Sequence, residues 1–262
     1  MLQRAPCAGQ PRGPGGLDTR AGPVPGAQAV GPPVGSLVIA LLGYKGAFIS
    51  ASAVLFSSFI FCYLYVIDVP QLPKKEGTLG GITMNKRIII GWMLCSTASI
   101  QLTFLPSVLP NVFEAFKIEQ TLALKLAGTV VMLYTATAMI GTYVLSWLSK
   151  KVGLYRMITL LFFFGILLQS MLALSRGIVD FTVIRMVQTG LIAATFPLII
   201  SIFAGESKGG VIGFLNSARF MGNALGPIIA TSILAFSNLT SLYFFISGMT
   251  LLVFLCFKFF FK

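Results

Sequence analysis

Histidine does not occur anywhere in the 262 residues. Its absence removes the commonest general acid or base and the commonest metal ligand, and with them serine-type triads, histidine-bearing zinc sites and histidine-ligated haem. Charge is scarce too, at 10% of residues, far below the roughly 25% of soluble domains. Acidic residues number only seven, and Asp68, Glu76, Glu114, Glu119, Asp180 and Glu206 all fall in loops or near the ends of apolar runs. The four cysteines, Cys7, Cys62, Cys95 and Cys256, are scattered, three of them in apolar stretches. They form neither a disulfide framework nor a metal knuckle, and free thiols acting as small apolar side chains are the simpler reading. No phosphate-cradling GxxxxGK[ST] loop and no paired intramembrane carboxylates are present, so an enzyme, a metal or another cofactor is not expected.

What is abundant is apolar: 56% of the chain, including 23 Phe. The net charge of +12 would suggest nucleic acid in a soluble protein, but in so apolar a chain it reads as positive residues in cytoplasmic loops, with the lipid bilayer as partner and no nucleic acid. Residues 1–27 are rich in Gly, Pro, Ala and Arg without helical or strand period, and are expected to be a disordered or unrelated extension. Beyond them, runs long enough to cross a bilayer lie at Val24–Gly43, Gly46–Ile67, Ile88–Phe113, Leu126–Ser149, Met157–Ser175, Ile178–Ala204, Gly209–Ser237 and Thr240–Phe257. The expected fold is therefore an all-α integral membrane bundle of about eight helices. Residues 28–67 are read as two helices of one bundle, 68–87 as a cytoplasmic linker and 88–262 as a six-helix bundle. Lys74, Lys75, Lys86, Arg87, Lys150, Lys151, Arg156, Lys208, Lys258 and Lys262 collect on one side, against Lys45, Lys117, Lys125 and Arg176 on the other. That bias expects a multi-pass protein of the cell membrane with both termini cytoplasmic.

An internal similarity links the stretch from Gly31 to that from Gly226: each places Gly-Pro in an apolar helix, then a short turn and an aromatic-led second helix. Around the second copy, Gly213, Gly222 and Gly226-Pro227 share one helix. Ala218, Gly222 and Gly226 stack at four-residue spacing, a smooth stripe for close helix contact, with Pro227 permitting a bend. Helix packing alone explains this stripe as well as a direct role in transport does. Two arginines interrupt the apolar runs, at roughly 2.5–3.5 kcal/mol each on insertion scales. Arg219 shares a helix face with Asn216 and Asn223, and Arg185 is followed by Gln188 and Thr189. Arg185, Gln188, Asn216, Arg219 and Asn223 are thus the candidate lining of a substrate cavity; arginines satisfied by helix carbonyls at an interface are the alternative.

These features resemble the major facilitator superfamily. Its drug:proton antiporters carry a glycine pattern ending in Gly-Pro, which Gly31, Pro32 and Gly35 match in its last part, while Ser36, and Ala230 with Thr231 in the second copy, depart from it. LSKKVGLYR, with Lys150, Lys151, Gly153 and Arg156, is similar to the family's cytoplasmic loop motif, although Ser149 stands at its acidic position; ordinary positive-inside anchoring explains this loop equally well. RMVQTG, from Arg185 to Gly190, is similar to the family's RxxQG with Thr189 inserted. The resemblance covers about residue 28 to the end and aligns the spans with helices 5 to 12 of a twelve-helix transporter, an N-terminally truncated one. It implies a small-molecule substrate moved by alternating access, multidrug efflux and proton antiport, while the lack of a carboxylate away from the ends of the spans argues against an autonomous proton carrier. A non-transporting remnant or membrane interaction protein is the competing expectation.

Overall fold

The computed structural model describes residues 24–65, 85–204 and 210–260. Among them the chain is helical with no strand: α1 (Val24–Tyr65), α2 (Lys86–Thr103), α3 (Leu105–Ala115), α4 (Gln120–Val152), α5 (Leu154–Met171), a 3₁₀ turn (Leu172–Leu174), α6 (Ile178–Ala204), α7 (Gly210–Phe236) and α8 (Leu239–Phe260). Six helices are long and apolar enough to cross a membrane, or seven if the bent pair α2–α3 is one span. The expected extension before residue 24, most of the 68–87 linker with Lys74 and Lys75, and Lys208 and Lys262 lie outside the described residues.

Two expectations are corrected. Val24–Gly43 and Gly46–Ile67 are not a hairpin: α1 runs unbroken through Tyr44 and Lys45, because lysine is a good helix former and isolated glycines weaken a helix without ending it. The short turn expected in the first copy of the internal similarity is therefore absent. Ile88–Phe113, expected to be continuous, is broken at Phe104, where α2 and α3 meet at 41°. Pro106, in the first turn of α3, has no N–H to give to the carbonyl of Leu102, so the ladder lapses there.

Helix ends follow local chemistry. Asn85 accepts from the Arg87 amide at the start of α2, and Asn238 Oδ1 accepts from the Ser241 amide at the start of α8, each occupying an otherwise orphaned donor. At the end of α3, Lys117 takes φ 58° while the Ile118 amide reaches back to the Phe113 carbonyl at 3.0 Å, a left-handed C-terminal closure. Gly153, between α4 and α5, sits at φ 94° and ψ 140°, a conformation open almost only to glycine.

The interior forms two apolar clusters stacked along the helices. One contains Ala98 of α2, Phe162 of α5, Ile192 of α6 and Val253 of α8; the other contains Phe104, Leu172, Phe181 and Ile246. Between those positions on the same helices lie Gln101, Gln169, Arg185, Gln188 and Thr250, all buried. The bundle thus carries a polar layer between two greasy halves.

Candidate functional site

The polar layer begins with the broken helix. Arg185, fully buried at 0% exposure, donates from Nη2 to the carbonyls of Gln101 at 2.8 Å and Leu102 at 3.2 Å. The second is the carbonyl that Pro106 leaves without its helical donor, so the guanidinium supplies what the proline withholds. Its Nη1 donates to Gln188 Oε1 at 2.6 Å, one turn along α6. Gln188 Nε2 in turn donates to Gln101 Oε1 at 3.0 Å and to Gln169 Oε1 at 2.6 Å, and Gln101 Nε2 donates to Thr250 Oγ1 at 2.8 Å. One connected network joins α2, α5, α6 and α8.

The charge of Arg185 has no carboxylate partner among the described residues. It is held by carbonyl and amide oxygens and by two rings, Phe104 and Tyr134, whose centroids lie 5.0 and 5.2 Å from Cζ. Aromatic faces attract a desolvated guanidinium by up to about 2 kcal/mol. Arg185 Nε, Gln169 Nε2, Tyr134 Oη and Thr189 Oγ1 are buried without a hydrogen-bond partner. Gln101, Gln169 and Thr250 are not among the residues expected from sequence. Their signal is present, as amides and a hydroxyl inside apolar runs, but nothing local ties positions 101 and 169 to 185 and 188.

Asn216, Arg219 and Asn223 occupy a different place. On α7 they lie on an open face: Asn216 is exposed, Arg219 and Asn223 partly so. Arg219 lies about 14 Å along its helix at 1.5 Å per residue, close to half of a hydrocarbon core about 30 Å thick, with its Cζ 5.3 Å from the Phe196 ring centroid. Pro227 withholds the helical donor of the Asn223 carbonyl, which leaves that oxygen as a further acceptor on this helix. The five residues expected to share one cavity therefore divide into a buried pair, Arg185 and Gln188, and an open stripe of three.

The stripe is aimed outward because the neighbouring face of α7 is pressed against α2. Leu215, Ala218, Gly222, Gly226 and Ala230 are buried. A Cβ on Gly222 would run into the Ser96 carbonyl oxygen and lie 2.6 Å from Ser99 Cβ; one on Gly226 would lie 2.5 Å from Thr103 Oγ1. Gly213 has nothing within 4 Å of its would-be Cβ, so it is not part of this seam. A second close contact joins α4 to α6, where a Cβ on Gly141 would meet the Gly190 backbone, with its Cα at 2.8 Å, and Thr137 Oγ1 donates to the Met186 carbonyl at 2.9 Å. Gly31, Pro32 and Gly35 lie within α1. Lys150 and Lys151 close the last turn of α4, Lys151 Nζ resting 4.4 Å from the Trp147 ring centroid, and Arg156 is exposed in the first turn of α5.

Comparison with known proteins agrees with this architecture. The profile of the Major Facilitator Superfamily matches residues 21–192. The fold is similar to that in the crystal structure of a bacterial homologue of the iron transporter ferroportin in an inward-facing state: TM-score 0.57 at 17% sequence identity, covering 88% of this chain and 58% of that one. The chain thus spans less than two thirds of the length of that transporter. No curated protein matches. With a helical membrane bundle, two glycine-mediated seams and a family match over most of its length, the chain belongs to the major facilitator superfamily, whose members are transporters and not enzymes.

Proposed function

We propose that the chain moves a small solute across the cell membrane by alternating access, with Asn216, Arg219 and Asn223 facing the solute path. The observation that carries this reading is the open polar face of α7 beside a face locked to α2. A cationic side chain left toward lipid near mid-span is costly, whereas the same side chain bordering an aqueous path is not. Amide and guanidinium groups together suit a solute with an anionic or polar group. Among the described residues no three His, Cys, Asp or Glu side chains gather as metal ligands, so the solute class is taken from the stripe and not from the iron in the neighbour's description.

Arg185 and Gln188 act, in this reading, as a fulcrum holding the broken helix to the bundle, and the glycine seams let helix pairs slide as units. Efflux of drug-like compounds is the direction that the pattern at Gly31, Pro32 and Gly35 supports, and proton coupling would need a carboxylate other than Asp180, which sits in the first turn of α6 and away from the stripe. The turn with Lys150, Lys151 and Arg156 is read as cytoplasmic. Flux of amphipathic dyes in proteoliposomes tests the stripe: Arg219→Ala lowers it about tenfold, the worth of one charge-assisted hydrogen bond, while Phe220→Ala on the exposed flank leaves it unchanged. Equal flux in Arg219→Ala and the unaltered chain would sink the cavity role. A second reading, a membrane protein that inserts without transporting, draws on the 58% coverage of the similar structure; it predicts stable insertion and no flux in any variant.

A further inference from the structure

At the end of α5 opposite the Lys150–Arg156 turn, a cavity of about 490 Å³ is lined by Met171, Leu174, Ser175, Arg176, Asp180, Val183 and Ile184. The span Leu154–Leu174 has 21 residues, about 31 Å of helix, matching a hydrocarbon core of about 30 Å. Ser175, Arg176 and Gly177 therefore lie where acyl chains give way to headgroups. Met171, Leu174, Val183 and Ile184 make an apolar floor that opens toward lipid, since Leu174 and neighbouring Val179 are 73% and 71% exposed. Arg176 and Asp180 line the same cavity with opposite charges, yet no ion pair joins them among the described residues. Ser175 Oγ is turned inward, donating to the Leu172 carbonyl at 2.8 Å, which leaves the cavity's rim to the two charges.

We infer that this groove is a binding site for a zwitterionic phospholipid with a primary ammonium headgroup, the phosphatidylethanolamine class. Arg176 takes the phosphate, as a guanidinium fork does; Asp180 accepts from the ammonium; one acyl chain lies along Met171, Leu174, Val183 and Ile184. A choline headgroup has no N–H to give Asp180, and a glycerol headgroup has no cation at all, so the carboxylate selects among lipids that share the phosphate. The site is independent of the solute path on α7.

Native mass spectrometry of the full chain, stripped of lipid in detergent and exposed to an equimolar mixture of ethanolamine, choline and glycerol phospholipids with matched acyl chains, reads this selection. The ethanolamine lipid is retained over the choline lipid roughly tenfold, the factor of one hydrogen bond to a charged group. Asp180→Ala, which leaves no side-chain acceptor, brings that ratio to about one, Arg176→Gln lowers retention of all three, and Lys150→Gln at the opposite end changes neither. Both site residues are exposed, so the variants keep the fold, and an unchanged thermal transition in detergent checks that. A ratio near one in the unaltered chain, or a preference that survives Asp180→Ala, would overturn the assignment. So would displacement of the lipid by chain-free glycerophosphoethanolamine at equal concentration, which would show that the apolar floor takes no part.

Discussion

Arg185 is fully buried with its charge balanced by dipoles and rings instead of a carboxylate. Breaking such a site is costly because the partners stay behind: with Arg185→Met, the Leu102 carbonyl loses its remaining donor and Gln188, which ties Gln101 and Gln169 together, loses its own, an effect of about 1–3 kcal/mol for each buried group left unsatisfied. The thermal transition in detergent should fall accordingly. Pro106→Ala restores a backbone N–H to the same carbonyl, so the double variant Arg185→Met/Pro106→Ala should be less destabilised than the two single changes added together. A double-mutant cycle measures that coupling, and additivity would show that the guanidinium does not substitute for the missing amide. At Gly153 the argument is conformational: φ 94° with ψ 140° strains any other residue, so Gly153→Ala should lower stability by about 1–3 kcal/mol although its would-be Cβ has nothing within 4 Å. Arg185 and Gln188 were legible in sequence as polar residues three apart in an apolar run. Gln101 and Gln169 were not, because what makes them part of the site is a contact across 87 and 19 positions of chain.

Helices whose ends carry strong punctuation were read well. α6, Ile178–Ala204, lies just past Ser175, Arg176 and Gly177, and its limits coincide with those expected from the apolar run around Arg185. α1 shows the opposite case: Gly43, Lys45 and Gly46 look like a turn, yet none of them removes a backbone donor as proline would, and the helix continues. The break at Phe104 is the converse case, since Pro106 in a long apolar run can be absorbed or can divide a helix, and here Arg185 donates to the carbonyl that division sets free. The seam between α2 and α7 yields a paired prediction. Gly222→Ala places a methyl group against the Ser96 carbonyl and should cost about 1–3 kcal/mol through overpacking, whereas Gly213→Ala, in open space, should be neutral or mildly stabilising through helix propensity. Thermal transitions of the two variants check it; equal shifts would mean the seam can relax.

For the whole molecule, composition, patterning and charge bias together are enough to indicate an all-helical membrane bundle, and the motif resemblance at Gly31–Gly35, Leu148–Arg156 and Arg185–Gly190 points to the major facilitator type. The division of the five expected cavity residues was not legible, because helical spacing shows which side chains share a face and leaves open what that face meets. Crossing number shows the same limit: eight spans would place the two ends on one side of the membrane and seven on opposite sides, and because α1 runs unbroken through Tyr44 the described helices make six spans, or seven with the bent pair α2–α3. The central claim, that the α7 stripe borders an aqueous path while the Arg185 layer is sealed, is tested most directly by cysteine accessibility. With Cys7, Cys62, Cys95 and Cys256 replaced by Ser, single cysteines at Asn216, Arg219, Asn223, Gln188 and, as a lipid-facing control, Ile228 are exposed in proteoliposomes to a membrane-impermeant maleimide, which reacts only with hydrated thiolate. The account predicts labelling at positions 216, 219 and 223 and none at 188 or 228. Labelling at 188, or protection of all three stripe positions, would contradict it.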